Sequence, residues 1–344
     1  MKGYVGRLAP SPTGALHLGN VRTFMVAWLR ARSQGGRVIM RMEDLDHLKD
    51  KPGAAAQAVE DLRWLGFDWD EEYVQSERKP IYREALECLR SQTIEQSNHR
   101  TIPLVYPCVC SRRDVEAAQS APHAGEQLHY PGTCRGRFAS WGEAQRFIDA
   151  SMASSTSLAS ATSKTSSTRT PCWRFAVAPG TVVAFDDAFA GHCEQDVSRT
   201  LGDFPLARDE FGAGYTLACA VDDLLMGVTE VIRGDDLLAA TPAQILLARA
   251  LRKSLRWPST AVDCDRELAY CHVPLVVGRD GKRLAKRHGD TRIASYREQG
   301  KSPEEILGFL AVSCGWSKPG ERISLRGLLP RFSLTTIPHA PFMV

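Results

Sequence analysis

The chain has 344 residues, more than one packed core usually holds, with 43% apolar and 24% charged residues, the composition of an ordinary globular protein of two or three packed units. A net charge of +3 is too small to argue for nucleic-acid binding by itself, though it leaves room for a local basic face. No apolar run approaches the length of a membrane span and no leader pattern follows Met1, so the expected compartment is the cytoplasm, with no membrane partner and with ten scattered cysteines mostly reduced.

A short apolar start (Tyr4, Val5, Leu8) leads into "RLAPSPTGALHLGN" at 7–20, a stretch stiffened by prolines and stripped of side chains by glycines. Val21, Phe24, Met25 and Trp28 then fall at i, i+3, i+4 and i+7, which predicts a helix beginning near Asn20 and ended by Gly35-Gly36. "RVIMRME" predicts a buried strand, and Pro52, Val59, Leu62, Leu65 and Gly66 mark a second helix from first turn to cap. Strand and helix alternate, which predicts an α/β fold with a Rossmann-like parallel sheet. From Tyr106 to about Phe175 the periodicity breaks down, and residues 151–170 contain sixteen Ser, Thr or Ala, too little apolar bulk to bury, so they read as a mobile surface loop.

Regular patterns return in "AGYTLACAVDD" and "GVTEVIRG", which read as strands, and in Thr241-Pro242-Ala243-Gln244, which has the form of a capping box before "ILLARAL". "HVPLVVGRDGKRLAKRHGD" reads as a strand, a turn and a basic loop, and "SPEEILGFLAVSCGW" as a capped helix; there is no internal repeat. The expected organisation is a first half of the catalytic α/β unit (1–105), an insertion (106–200), the second half (201–265) and a short, mainly helical C-terminal region beginning with the basic loop (266–344).

A Gly/Pro-rich turn between a strand and a helix N-terminus leaves backbone N–H groups free and aims the helix dipole at an anion, with phosphate the natural guest. Ser11, Gly14 and Gly19 let a nucleotide approach the backbone and His17 could donate to a phosphoryl oxygen; a plain turn with a satisfied histidine explains the same residues. In "GKRLAKRHGD", Lys282, Arg283, Lys286 and Arg287 put four cations within six residues, suited to a triphosphate or, more blandly, to a solvated turn. Cys108-x-Cys110 followed by Cys134 supplies three soft ligands with the chemistry of a zinc knuckle, and His129 or His123 would be the ordinary fourth ligand; reduced structural cysteines are the alternative.

"HLGN" at 17–20 resembles the HIGH motif and "RLAKR" at 283–287 the KMSKS motif of class I aminoacyl-tRNA synthetases, in the same order along the chain. "RLAPSPTGALHLGN", "RMEDLD" and "AKRHGD" are similar to the glutamate branch, over most of residues 5–315. "ACAVDDLLMGVTEVIRGDDL", "YPCVC" and "HYPGTC", with only about 55 residues after the basic loop, narrow the resemblance to the shortened glutamyl-queuosine tRNA(Asp) synthetases.

That resemblance implies a ligase that uses ATP with Mg²⁺ to convert glutamate to glutamyl-adenylate, then passes the glutamyl group to queuosine at the wobble position of tRNA(Asp). It implies glutamate contacts from Arg7, Ser11, Glu43, Tyr215 and Arg233, ATP contacts from His17, Gly19, Asn20 and Lys286, with His17 and Lys286 as the catalytic pair, and a structural zinc on Cys108, Cys110, Tyr130 and Cys134. The tRNA anticodon arm would rest on basic residues such as Arg252, Lys253 and Arg256. Two departures stand out: Arg283 replaces the first lysine of KMSKS and Ala285 its serine, which keeps the charge and loses a hydroxyl. The rival expectations are a minimal glutamyl-tRNA synthetase charging the 3′ end of tRNA(Glu) and a tRNA-binding paralogue without catalysis.

Overall fold

Side chains that alternate between the two faces of the first strands set the architecture. The computed structural model describes residues 3–45, 50–95, 99–118, 129–156, 169–210, 212–254, 267–282, 284 and 290–344. The first half runs β1 (Val5–Leu8), α1 (Leu18–Ser33), β2 (Arg37–Met42), α2 (Ala54–Trp64), β3 (Glu71–Val74) and α3 (Lys79–Arg90), with β2 central in a parallel β1-β2-β3 sheet. Ile39 of β2 faces one apolar core, while Val38, Met40 and Met42 face a second that holds the buried side of α1, including fully buried Trp28. Gly35, at φ +62°, supplies the left-handed turn that ends α1, as the Gly-Gly pair predicts.

The middle of the chain adds the short β4 (Thr93–Glu95) and β5 (Thr101–Pro103), then β6 (Val105–Cys108), α4 (Arg112–Ala118), α5 (Trp141–Thr156) and β7 (Cys172–Phe175). Next come β8 (Val182–Asp187), β9 (Gly191–Asp196), the single turn α6 (Val197–Thr200) and β10 (Phe204–Ala207). β6, β7 and β10 form an antiparallel sheet over a small third core of Tyr106, Cys108, Tyr130, Cys134, Phe138 and Ile148. Residues 151–156 belong to α5, so the Ser/Thr/Ala-rich segment begins as helix; residues 157–168 lie outside the described residues.

The second half supplies α7 (Tyr215–Leu225), β11 (Glu230–Gly234), α8 (Thr241–Ser254) and β12 (Ala269–Val273). Its sheet, ordered β11-β12-β8-β9, meets the first along β1, where Thr229 N–H donates to Val5 O at 2.9 Å. The seven strands therefore follow the order β3-β2-β1-β11-β12-β8-β9, reversing between β1 and β11, the kind of switch point at which open α/β sheets bind ligands. The chain ends with β13 (Val276–Val277), α9 (Ile293–Glu298), α10 (Pro303–Val312) and β14 (Phe342–Met343), with α10 opening on a Ser302/Glu305 capping box.

Two local expectations fail. "GYTLACAVDDLL" is helix rather than strand: Leu217, Ala218, Val221 and Leu224 recur at i, i+1, i+4 and i+7 and are all buried, a helical stripe hidden in a run of small apolar residues. Thr241 is not an N-cap, because a 3₁₀ turn over Asp235–Ala240 feeds directly into α8 and its hydroxyl lies 3.2 Å from Leu237 O. The two predicted helix starts also shift, to Leu18 with His17 as cap and to Ala54 after Gly53 at φ +78°.

Candidate active site

The turn after β1 is stitched to the loop after β2, with Glu43 N–H donating to Pro10 O at 2.9 Å and Lys51 N–H to Pro12 O at 3.0 Å. His17 caps α1 in an extended conformation: its Nδ1 accepts from Gly19 N–H at 3.1 Å, and Asn20 Oδ1 accepts from His17 N–H at 3.1 Å. Gly19 is required for this, since a Cβ there would come within 3.0 Å of the imidazole. With Nδ1 an acceptor, the proton of the neutral ring sits on Nε2. α1 carries no acidic residue in its first turn, which keeps its positive end unscreened.

The far end of the chain returns to this turn. Leu18 N–H donates to Thr291 O at 3.2 Å and Ile293 N–H to Leu16 O at 3.0 Å, and Leu284 and Asp290–Arg292 line the same cleft of about 920 Å³ as Gly14, Ala15 and His17. The segment that follows the basic stretch is thus bonded to the turn at His17, and Leu284 lines the same cleft; Arg283, Ala285, Lys286 and Arg287 lie outside the described residues.

At the carboxyl ends of β1, β2 and β11 the charges form one buried network. Arg41, wholly buried, donates to Asp223 Oδ1 at 2.6 Å and to Glu43 Oε1 at 3.0 Å, and the Cys219 thiol donates to the same Glu43 oxygen at 3.2 Å. Burial and Glu43 push the Cys219 thiol well up, so it remains a donor. Arg7 donates to Ile232 O at 2.8 Å, and its Nε lies 3.6 Å from Asp223. The Tyr215 phenol, at the start of α7, is pushed well above its usual range by Cys219 first, then by loss of solvent around its hydroxyl and by Glu43, against the pull of Arg233 and Arg7. Arg7, Glu43 and Arg233 thus all bear on the charge of the Tyr215 phenol, while Tyr215 as a whole is 43% exposed. Ser11 lies exposed on the turn before it.

Arg233 is itself buried, donating from Nε to His272 Nε2 at 2.9 Å and from Nη2 to Thr241 Oγ1 at 2.7 Å. His272 Nδ1 lies 2.6 Å from Asp187 Oδ2. Burial lowers the His272 pKa against the opposing Asp187, leaving the imidazole neutral. Burial would raise Asp187, but hydrogen bonds from His272 and from the backbone of Ala190, His272 and Phe189 outweigh it and hold the carboxyl at about 2.

The cysteines gather in the third core. Cys108, Cys110 and Cys134 bring their sulfurs within 4.8 Å of one another, and Tyr130 Oη lies 3.2 Å from Cys108 Sγ and 3.7 Å from Cys110 Sγ. His129, the imidazole alternative, points elsewhere, with Nε2 3.0 Å from Ser198 O, and His123 lies outside the described residues. Arg174 donates to Cys108 Sγ at 3.2 Å and stacks 3.8 Å from the Tyr130 ring centre. Hydrogen bonds among the sulfurs, then Arg174, favour a single thiolate at Cys108 and push Cys110 and Cys172 up, and burial pushes the Tyr130 phenol up. Three sulfurs and a phenol in this arrangement can hold a soft divalent ion.

A family model described as tRNA synthetases class I (E and Q), catalytic domain, matches residues 4–328. The chain belongs to this class I tRNA synthetase family. It is 42% identical to a glutamyl-Q tRNA(Asp) synthetase of Symbiobacterium thermophilum over 98% of this chain and 95% of that one. A glutamyl-Q tRNA(Asp) synthetase of Rhodopirellula baltica is 43% identical over 92% and 86%. The crystal structure of a glutamate-tRNA synthetase from Elizabethkingia anophelis superposes with a TM-score of 0.73 at 25% identity, covering 100% of this chain and 68% of that one.

For this synthetase-family chain, sequence reading missed the residues that hold the pocket together: Arg41, Asp223, Cys219, Asp187, Thr241 and His272. Arg41 and Glu43 stand at i and i+2 in a strand pattern, a charged pair on one face that could have been noticed. His272, inside an apolar strand, carries no such signal. Arg252 and Lys253 occupy the last turn of α8, and Arg256 lies outside the described residues.

Proposed function

We propose that the chain activates L-glutamate with ATP and transfers the glutamyl group to queuosine at the wobble position of tRNA(Asp). What supports this substrate is the placing of buried Arg7, Glu43 and Arg233 at the carboxyl ends of β1, β2 and β11, beside the switch point, with the Tyr215 phenol under the charge of all three. Arg7 and Arg233 are suited to substrate carboxylate, Glu43 to the ammonium, and Tyr215 and Ser11 to hydroxyl contacts. Glutamate's α-carboxylate attacks the α-phosphorus of Mg²⁺-bound ATP, and pyrophosphate leaves. The nucleophile is already ionised, so no general base is needed, and catalysis is positioning plus stabilisation of phosphoryl charge. The turn backbone near Gly19 and Asn20 admits the nucleotide, His17 Nε2–H and the α1 N-terminus serve its phosphates, and Lys286 is the cation assigned to them by its place in the basic motif.

A queuosine hydroxyl then attacks the glutamyl carbonyl and AMP leaves. The acceptor rests on the named relatives, alike over nearly their whole length. The anticodon arm, in the cytoplasm, would meet Arg252 and Lys253 and the following Arg256. Cys108, Cys110, Cys134 and Tyr130 would hold a zinc ion whose part is structural, closing an insertion with little core of its own.

The deciding experiment supplies labelled glutamate, ATP and total tRNA and maps the label. Label in the anticodon loop, with glutamate-dependent pyrophosphate exchange in the absence of tRNA, is expected. Label on the terminal adenosine would replace this reading with a minimal glutamyl-tRNA synthetase, and no exchange with any amino acid would leave a binding paralogue.

A further inference from the structure

Three adjacent strands carry one line of hydrogen bonds across their carboxyl ends. Arg233 of β11 and His272 of β12 are direct partners in the parallel register, and Asp187 closes β8 on the far side of β12. Asp187 is fixed independently of the line: its Oδ1 accepts from the backbone N–H groups of Phe189, Ala190 and His272 at 3.0, 2.8 and 3.1 Å. Its Oδ2 then sits 2.6 Å from His272 Nδ1, which fixes the proton there and turns the Nε2 lone pair towards Arg233 Nε at 2.9 Å. Every acceptor that Arg233 touches directly is neutral: His272 Nε2, Thr241 Oγ1 and Leu237 O.

We propose that Asp187 and His272 are positioning residues that aim Arg233 at the substrate carboxylate while keeping its charge unspent. A buried guanidinium paired directly with a carboxylate would be neutralised before substrate arrived, as Arg41 is by Asp223 and Glu43. An imidazole placed between the anion and the guanidinium supplies a polarised acceptor and a fixed orientation, and leaves the cation to the ligand. Nη1 of Arg233 makes no hydrogen bond with any described residue, so its N–H groups remain for an incoming oxygen. Misplacing that donor by even an ångström has a large effect on such a contact.

This inference rests on the glutamate reading above, and the experiment separates the two. Glutamate-dependent pyrophosphate exchange is measured for wild type, R233K, H272N, H272Q and D187N, with KM for glutamate and for ATP determined separately and folding checked by thermal unfolding. Asparagine reaches the Nδ1 position and keeps the Asp187 contact; glutamine reaches the Nε2 position and keeps an acceptor for Arg233. We expect H272N to raise KM for glutamate about tenfold to a hundredfold, with KM for ATP within about twofold, and H272Q to recover most of that loss even where it lowers thermal stability. D187N, which frees the imidazole to present N–H to Arg233, should behave like H272N. If H272N does not fold, D187N and H272Q decide. Unchanged KM for glutamate in H272N and D187N alongside a large rise in R233K overturns the relay alone; an equal rise in both KM values in H272N also overturns it, as general loosening. An unchanged KM for glutamate in R233K, or wild type without exchange, overturns the glutamate reading beneath it.

Discussion

The parallel-sheet site and the cysteine-bearing region solve opposite problems. At the sheet, ions are removed from water by two large apolar cores and are tied to partners far along the chain: Arg41 to Asp223, Arg7 to Ile232 O, and Glu230 to Arg30. The cysteine region has a small core of its own, and the nearby buried acid, Asp203, is held by Tyr106, Arg135 and the Val177 N–H. Strain on the first should therefore spread through the whole fold, and strain on the second should stay local. The largest test is Arg41→Ala, which strands Glu43 and Asp223 in the interior. It should destabilise the protein by about 3–5 kcal/mol in urea unfolding monitored by tryptophan fluorescence, with all probes moving together.

Two intermediate perturbations sharpen the contrast. His17→Ala removes a cap and a phosphate donor together; pyrophosphate exchange should fall about a hundredfold to a thousandfold in kcat, while stability drops by only about 1 kcal/mol. Cys134→Ser, or a strong zinc chelator, should expose residues 108–135 to limited proteolysis while urea unfolding of the sheet is unchanged. Simultaneous cleavage within the β1–β3 half would show that the two regions are one cooperative unit.

The pocket was partly legible before the fold was known, for a physical reason. Between Arg7 and Asn20 backbone constraint and chemistry coincide in one short stretch, so the turn and the histidine at the helix start were readable. The supporting residues are scattered: Asp187 and His272 meet only through strand register, Thr241 joins them from the start of α8, and nothing local marks them. The same limit explains the α7 error, because a run of small apolar residues fits either period until a neighbouring core chooses one face. For the sulfur cluster, spacing named the cysteines, whereas the contest between Tyr130 and His129 depended on which ring turns inward, and the structure turns the phenol to the sulfurs.

Acid should separate the regions further, because Asp187 belongs to the sheet alone. Its folded-state pKa is depressed from 3.8 to about 2, so its stabilisation is fully present above pH 4 and is lost as pH falls from about 4 through 2. The loss amounts to about 2 kcal/mol, and D187N should flatten that part of the stability–pH curve. The smallest effect is expected at Ser302, whose hydroxyl accepts from Glu305 N–H at the start of α10 while the Glu305 carboxylate accepts from the Ser302 N–H. α10 packs Ile306, Leu307 and Leu310 into the core shared with α1, and Arg22 of α1 reaches the Ser313 hydroxyl beyond its end at 2.7 Å. Ser302→Ala should therefore lower global stability by about 1 kcal/mol, and because α10 makes no part of the cysteine core, the onset of proteolysis at 108–135 should not move. A cleavage rate that rises with this substitution would mean that the insertion draws its order from the sheet, and the division drawn between the two regions would be wrong.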